Sequence, residues 1–184
     1  MRLAPTPRWT DAVTSLFLLT PDRVSDAYLG WLADPEVNRY LEVRFSPQGR
    51  AEAEAFVAAM LDSERDLLFG IHSIALGRHV GNIKLGPIDR NHGLGEIGIM
   101  VGDRSAWGQG IAPSAIRRVT AIAKSELGLR RLSAGCYASN VGSRKAFEKA
   151  GFAVEAMRPQ HYLLDGKAED ALLLGKIIQE SEAA

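Results

Sequence analysis

Cysteine is almost missing from this chain: Cys136 is the only one in 184 residues. That excludes an internal disulfide and a multi-cysteine zinc site, and it fits a reducing compartment. Histidine is scarce as well. His72, His79, His92 and His161 are scattered without paired ligand spacing, so no metal is expected. Neither sign of charge is in excess, with 22 basic and 22 acidic side chains summing to a formal zero. No global field therefore steers the chain onto nucleic acid or an anionic membrane, and any polyanion it binds is small and locally held. Long apolar runs are also lacking. The stretch from Val13 to Leu19 is too short to span a bilayer, and Met1 to Thr10 lacks the basic-then-apolar order of a secretion signal. The expected location is the cytoplasm, with no membrane partner.

What is present is 46% hydrophobic and 24% charged residues, the make-up of a globular chain with material for one substantial core. One domain over residues 1–184 is the expectation. Val13 to Leu19 reads as a strand. Thr20-Pro21 then offers a helix start ahead of Val24, Ala27, Tyr28, Trp31 and Leu32, which share one helical face. Ser46-Pro47 repeats the signal ahead of Ala53, Phe56, Val57, Met60 and Leu61, and residues 34–45 link the two helices. Three β-rich segments follow, about 67–76, 79–88 and 94–101, broken by Gly77-Arg78 and by residues 89–93, as in an antiparallel meander. Ala115, Ile116, Val119, Ile122 and Ala123 form a third helical stripe that Gly128 is placed to end. A strand near 131–138, a helix near 141–150 and two β-rich segments, 152–163 and 168–177, complete an α+β order without internal repeats.

Between the meander and the third stripe stands "VGDRSAWGQGIAPSAIRRV", residues 101–119. The first amides of a helix have no partner within it and carry the positive end of its dipole, so a turn of small residues there suits a phosphate or diphosphate. Pro113 forfeits an amide that had no helical partner, while Gly108, Gly110 and Ala112 let backbone approach a ligand. A nucleotide-triphosphate loop is absent, since no lysine is followed by serine or threonine, and Pro113 stands where a dinucleotide fingerprint needs its third glycine. A glycine-rich connection without a ligand is the alternative.

"EIGIMVGDRSAWGQGIAPSAI", followed after one strand by "ASNVGSRKAFEKAGF", resembles the GNAT superfamily of N-acetyltransferases. It is most similar to the branch of RimJ/RimL-like ribosomal-protein N-terminal and amino-sugar acetyltransferases. The resemblance runs from "YLGWLADPEVNRYLE" to the final strands and implies the GNAT fold, a mixed, mostly antiparallel sheet of about seven strands with about four helices. It implies acetyl-CoA as cosubstrate and no metal. By the same resemblance Trp107, Gly108, Gln109, Gly110, Ile111 and Ala112 would cradle the diphosphate, backbone at Met100, Val101 and Gly102 would meet the pantetheine arm, and Asn140 and Ser143 would contact the coenzyme. Trp107 replaces the arginine or glutamine of many members.

Alternation puts Glu96, Gly98 and Met100 on one face of their strand and Ile97, Ile99 and Val101 on the other. Glu96 lies eleven residues before Trp107, the spacing at which several members place a general base. A base is needed because most amines are protonated near neutral pH. The competing readings are a solvated strand residue, an ion-pair partner, or a base recruited from elsewhere in the fold. Where relatives carry a tyrosine as acid to the departing thiolate, this chain has Phe147. Either Ser143 donates to the sulfur or the thiolate leaves without a positioned donor. Asn140 is equally an ordinary helix cap. Cys136, inside a β-rich segment with no neighbouring histidine, reads as inert core in preference to an acetyl-enzyme nucleophile. Arg117, Arg118, Arg144, Lys145 and Lys149 are either solvated or neutralise phosphate.

The resemblance implies that the first two helices and their linker wall one side of the acceptor site, where Tyr40, Glu42 and Arg44 of the linker would face the substrate, while Tyr28 and Trp31 fit the apolar stripe of the core. The linker resembles that of enzymes acting on nucleotide-linked amino sugars. The expected partner is thus a small amine or amino sugar, with a protein N-terminus as alternative, on a monomer or homodimer. A non-catalytic acyl-CoA sensor is the reading from a different class.

Overall fold

The computed structural model describes residues 9–47 and 49–179. Seven strands form one sheet in the order β1-β2-β3-β4-β5-β7-β6. They are β1 (Thr14–Leu18), β2 (Leu67–Ser73), β3 (Arg78–Leu85), β4 (Leu94–Val101), β5 (Arg131–Tyr137), β6 (Ala153–Leu164) and β7 (Lys167–Ile177). Every neighbouring pair is antiparallel except β4 and β5, which run parallel. The helices are α1 (Asp26–Ala33), α2 (Pro35–Asn38), α3 (Arg50–Asp62), α4 (Ile111–Ser125) and α5 (Val141–Lys149).

Two apolar clusters put the helices on opposite faces. Ile111, Ala115, Ile116, Val119, Ile122 and Ala123 of α4, with Ala146 and Phe147 of α5, pack with Phe69, Ile71, Ile83, Leu85, Ile97 and Leu132 of the sheet. Tyr28, Trp31 and Leu32 of α1 and Ala53 and Val57 of α3 pack with Leu68 on the other side. β2 is covered on both faces and accordingly reads as a nearly unbroken apolar run. Phe56 and Leu61, given by spacing to the α3 stripe, are exposed because they lie at its two margins, while Ala53 and Val57 hold its centre.

Helix starts differ from the expected ones in a consistent way. Thr20 makes no cap; Pro21–Arg23 form a short 3-10 turn, Val24 is extended, and α1 begins one residue after Ser25, whose hydroxyl accepts from the Tyr28 amide. Likewise α3 starts after Gly49, not at Ser46-Pro47. At the first start the proline opens a turn that redirects the chain before the helix proper. The linker contains α2, capped by Asp34 through the Glu36 amide, and a 3-10 turn at Glu42–Phe45. Among the described residues the expected four or so helices therefore become five, the additional one being the short α2.

Candidate active site

The glycine turn follows the end of β4, and α5 follows the end of β5. These strands pair only at Leu94↔Arg131, Gly95↔Leu132 and Glu96↔Ser133. Beyond Ser133, β5 keeps its partner β7, and beyond Glu96, β4 keeps its partner β3, so the two part and leave a cleft between them. The β3–β4 ladder fixes which backbone groups face that cleft. The Gly86 amide donates to the Glu96 carbonyl and the Gly102 amide to the Val80 carbonyl. By antiparallel alternation residues 96, 98, 100 and 102 thus turn their polar groups to β3, and Ile97, Ile99 and Val101 turn theirs to the cleft. Of Met100, Val101 and Gly102, only Val101 offers backbone there, and Ile99 joins it.

Gly102 has a different reason to be glycine. A Cβ at that position would stand 2.2 Å from the Trp31 ring, so its lack of a side chain lets α1 pack on the end of β4.

The glycine turn sits at the mouth of the cleft. A 3-10 turn at Arg104–Ala106 is closed by the Asp103 side chain on the Ser105 amide, and α4 begins at Ile111 with Gly110 as its cap. Gly108 and Gly110 both have φ +76°, a left-handed conformation that a Cβ disfavours. Nothing lies within 4 Å of a Cβ built on either, so the space above the turn is open. Residues 107–110 form a tight turn in which, among the described residues, no amide from Gly108 to Ala112 makes a backbone bond of full hydrogen-bond geometry, and the Ser114 amide makes the helix's first such bond, 3.2 Å to the Gly110 carbonyl. The side chain of Trp107 lies half exposed with its indole N–H donating 2.7 Å to the Val101 carbonyl. Arg104 stands over the Trp107 ring at 5.8 Å and pairs with Glu36 at 2.5 Å, tying the turn to α2. Gln109 is held through its side-chain amide on the Ser105 carbonyl.

At the head of α5 the Asn140 side chain accepts from the Ser143 amide at 3.0 Å, as an ordinary cap does. The Ser143 hydroxyl lies against the Cys136 thiol. Burial pushes that thiol above its ordinary value, and the Ser143 contact offsets only part of the rise. Cys136 is 6% exposed, as expected of inert core. Phe147 is 1% exposed, edge-on to Phe152 at 5.2 Å, and so belongs to the core beneath the site. Arg118 Nε lies 3.5 Å from Asp11 and Arg144 Nε 3.8 Å from Glu148, each an ion pair without a hydrogen bond at that nitrogen.

Glu96 projects from the face opposite α4, exposed, beside Ser133 at the point where the strands part. Among the described residues it has no ion-pair partner. Gly98 and Gly135 leave the floor next to it open. Further along the same face the linker residues close in. The Tyr137 hydroxyl donates to Glu42 Oε1 at 2.9 Å and receives Arg44 Nη2 at 2.7 Å, and Arg44 also reaches the Leu163 carbonyl at 3.1 Å. The Tyr40 ring lies 5.5 Å from that of Tyr137, and the Tyr162 ring stacks on the latter at 4.2 Å and 18°. Arg39 bonds Asp165 at 3.2 Å, fastening the linker to the β6–β7 turn.

Tyr40, Glu42 and Arg44 are thus brought together, around Tyr137 and Tyr162, which sequence reading did not single out. Burial, then Glu42 and Glu96, push the Tyr162 hydroxyl above its ordinary value, so both carboxylates act on one small volume. Alternation along β5 already sets Tyr137 on the face of Glu96, opposite Leu132, Ala134 and Cys136. Tyr162 carried no such signal, because an irregularity between Arg158 and Tyr162 resets the register of β6.

Residues 16–153 match the family model described as an acetyltransferase (GNAT) domain. The chain belongs to the GNAT acetyltransferases. It is 32% identical over 123 residues to "Probable N-acetyltransferase YjcK" of Bacillus subtilis (strain 168), a match covering 66% of this chain and 67% of that protein. Its fold superposes with TM-score 0.79 on a spermidine N-acetyltransferase from Vibrio cholerae in complex with CoA and spermine, at 16% identity over 91% of this chain and 96% of that one. RimL, a ribosomal L7/L12 alpha-N-protein acetyltransferase in complex with coenzyme A, gives TM-score 0.79 at 17% identity, covering 91% and 95%. The acetyltransferase therefore uses acetyl-CoA as its cosubstrate. Its open turn and free strand edge fit that molecule, an anionic diphosphate joined to an arm with amide groups. Among the described residues no group of three or more His, Cys, Asp or Glu could hold a metal ion. No helix among them is long and apolar enough to cross a membrane.

Proposed function

We propose that this acetyltransferase works as one domain in the cytoplasm and transfers the acetyl group directly to the primary amine of a small acceptor, with an amino sugar linked to a nucleotide as first choice. The observation that carries this reading is the parting of β4 and β5 below the unpaired amides of Gly108 to Ala112. Those amides, with Trp107 and Gln109 shaping the turn, would hold the diphosphate. The Ile99 and Val101 backbone would meet the pantetheine arm, with Met100 and Gly102 holding that strand in register and Asn140 and Ser143 flanking the arm from α5.

Glu96 takes the proton that an ammonium must lose before its nitrogen can attack, directly or through a water on the open floor beside Gly98. A backbone amide of the cleft donates to the thioester oxygen as charge develops there. The Ser143 hydroxyl would be the donor to the departing sulfur, since Phe147 is in the core. Tyr40, Glu42 and Arg44 orient the acceptor through Tyr137. The linker's bonds to Asp165 and Leu163 close that end of the face, which favours a compact acceptor over an extended protein N-terminus. The stacked Tyr137–Tyr162 pair suits a sugar or base ring.

The test is thiol release from acetyl-CoA against a panel of nucleotide-linked amino sugars, spermidine and peptides with a free N-terminus. Saturable turnover with an amino sugar supports the reading. Preference for a peptide overturns the acceptor assignment. Tight CoA binding with no turnover on any amine overturns the direct-transfer reading.

A further inference from the structure

The first turn of α4 carries the diphosphate seat, yet its own hydrogen bonds hardly hold it. The Ile111 and Ala112 amides lack intrahelical partners, Pro113 has no amide, and one bond, Ser114 N–H to the Gly110 carbonyl, joins the cap to the helix. The same Ser114 is clamped from outside. Its hydroxyl donates to the Asp11 carboxylate, lying 2.9 and 2.8 Å from the two oxygens, and accepts from the Thr14 hydroxyl at 2.7 Å. Asp11 in turn takes the Val13 and Thr14 amides, each at 2.8 Å, and faces Arg118 Nε at 3.5 Å. Thr14 and Ser114 are both 0% exposed.

A polar chain linking positions 103 residues apart, with its two hydroxyls buried and its carboxylate partly so, is a costly way to gain stability alone, because apolar residues of similar shape often serve as well. What such a chain supplies is a unique position. Here the position fixed is that of Ser114 and, through its amide, of Gly110 and the unpaired amides around it. Arg118 balances the charge of Asp11, so the carboxylate that anchors the seat does not repel the anion in it.

We propose that Ser114, held by Asp11 and Thr14, is a positioning residue for the coenzyme: it keeps the amides of residues 108–112 aimed at the diphosphate. This rests on the reading that those amides hold the diphosphate, and the experiment separates the two.

Calorimetry measures the affinity of CoA and of pantetheine, which lacks the diphosphate, for the wild type, Ser114→Ala, Thr14→Val and Val119→Ala. Val119 is fully buried in the middle of α4, so its truncation lowers stability without touching the clamp. The wild type binds CoA far more tightly than pantetheine; equal affinities sink the seat itself. With that contrast in place, Ser114→Ala weakens CoA about 10-fold, or about 1.4 kcal/mol, and changes pantetheine less than about twofold. Thr14→Val weakens CoA in the same direction by a smaller factor, and serves alone if Ser114→Ala does not fold. Val119→Ala lowers Tm while leaving CoA affinity in place. Unchanged CoA affinity in both clamp variants, or an equal loss in Val119→Ala, overturns the inference.

Discussion

Replacing Gly110 by alanine probes the seat at its tightest backbone constraint. Gly110 has φ +76° and ψ 8°, and a Cβ built on it meets nothing within 4 Å. The added methyl therefore clashes with no protein atom. The cost within the free protein is conformational, about 1–2 kcal/mol for an L-residue held left-handed. In a domain of this size that lowers Tm by about 2–8 °C. Binding suffers separately, because the methyl enters the open space above the turn and holds an anion off the neighbouring amides. Losing one charge-assisted hydrogen bond, worth about 1.5–3 kcal/mol, raises Kd for CoA by about 10- to 100-fold. Asparagine tolerates the left-handed region, so Gly110→Asn should recover most of the Tm and none of the affinity. Differential scanning fluorimetry and calorimetry on the three proteins read both quantities. A Gly110→Ala protein that melts earlier yet binds CoA like the wild type would refute the reasoning, since strain without steric loss means that no ligand approaches there.

Glu96→Gln should lower turnover about 10²-fold with CoA affinity unchanged, measured with whichever amine the panel yields; wild-type turnover at every pH tested removes Glu96 from the mechanism. Cys136→Ala should retain turnover within about twofold, and mass spectrometry of the wild type with acetyl-CoA alone should detect no acetylated cysteine, because the thiol is buried and burial disfavours its thiolate. Burial also pushes Asp11 upward, but the Thr14 and Val13 amides, the Ser114 hydroxyl and Arg118 outweigh it and hold the carboxyl below its ordinary value. A carboxyl lowered by folding stabilises the protein in full above the ordinary carboxylate range and loses that contribution as pH falls through the lowered value. Chemical denaturation should therefore show wild type more stable than Asp11→Asn at neutral pH, with the gap closing below about pH 4; a gap independent of pH would mean that the carboxylate charge plays no part.

Features written in consecutive residues were legible in advance. The glycine turn, the apolar stripe of α4, the alternation that puts Glu96 on the face opposite α4 and the inert setting of Cys136 all follow from local spacing. The resemblance to acetyltransferases supplied the coenzyme and the expected sheet. Features that depend on distant partners were not legible. Nothing in Leu94 to Val101 states that β5 leaves it after Glu96, or that its register with β3 turns the backbone of Ile99 and Val101, and not that of Met100, to the cleft. Tyr137, Glu42 and Arg44 meet only because the linker folds across the sheet to the β6–β7 turn. Asp11 and Ser114 are ordinary polar residues until β1 lies against α4. The misplaced helix starts have a smaller cause: Thr20-Pro21 and Ser25 are both plausible caps, and the 3-10 turn between them decides for Ser25.

The most direct test of the central claim is an amide-resolved NMR titration of the 15N-labelled protein with CoA. The account predicts the largest shifts and gain in hydrogen-exchange protection at Gly108, Gln109, Gly110, Ile111 and Ala112, followed by Ile99 and Val101. Saturable binding that leaves those amides where they were would contradict it.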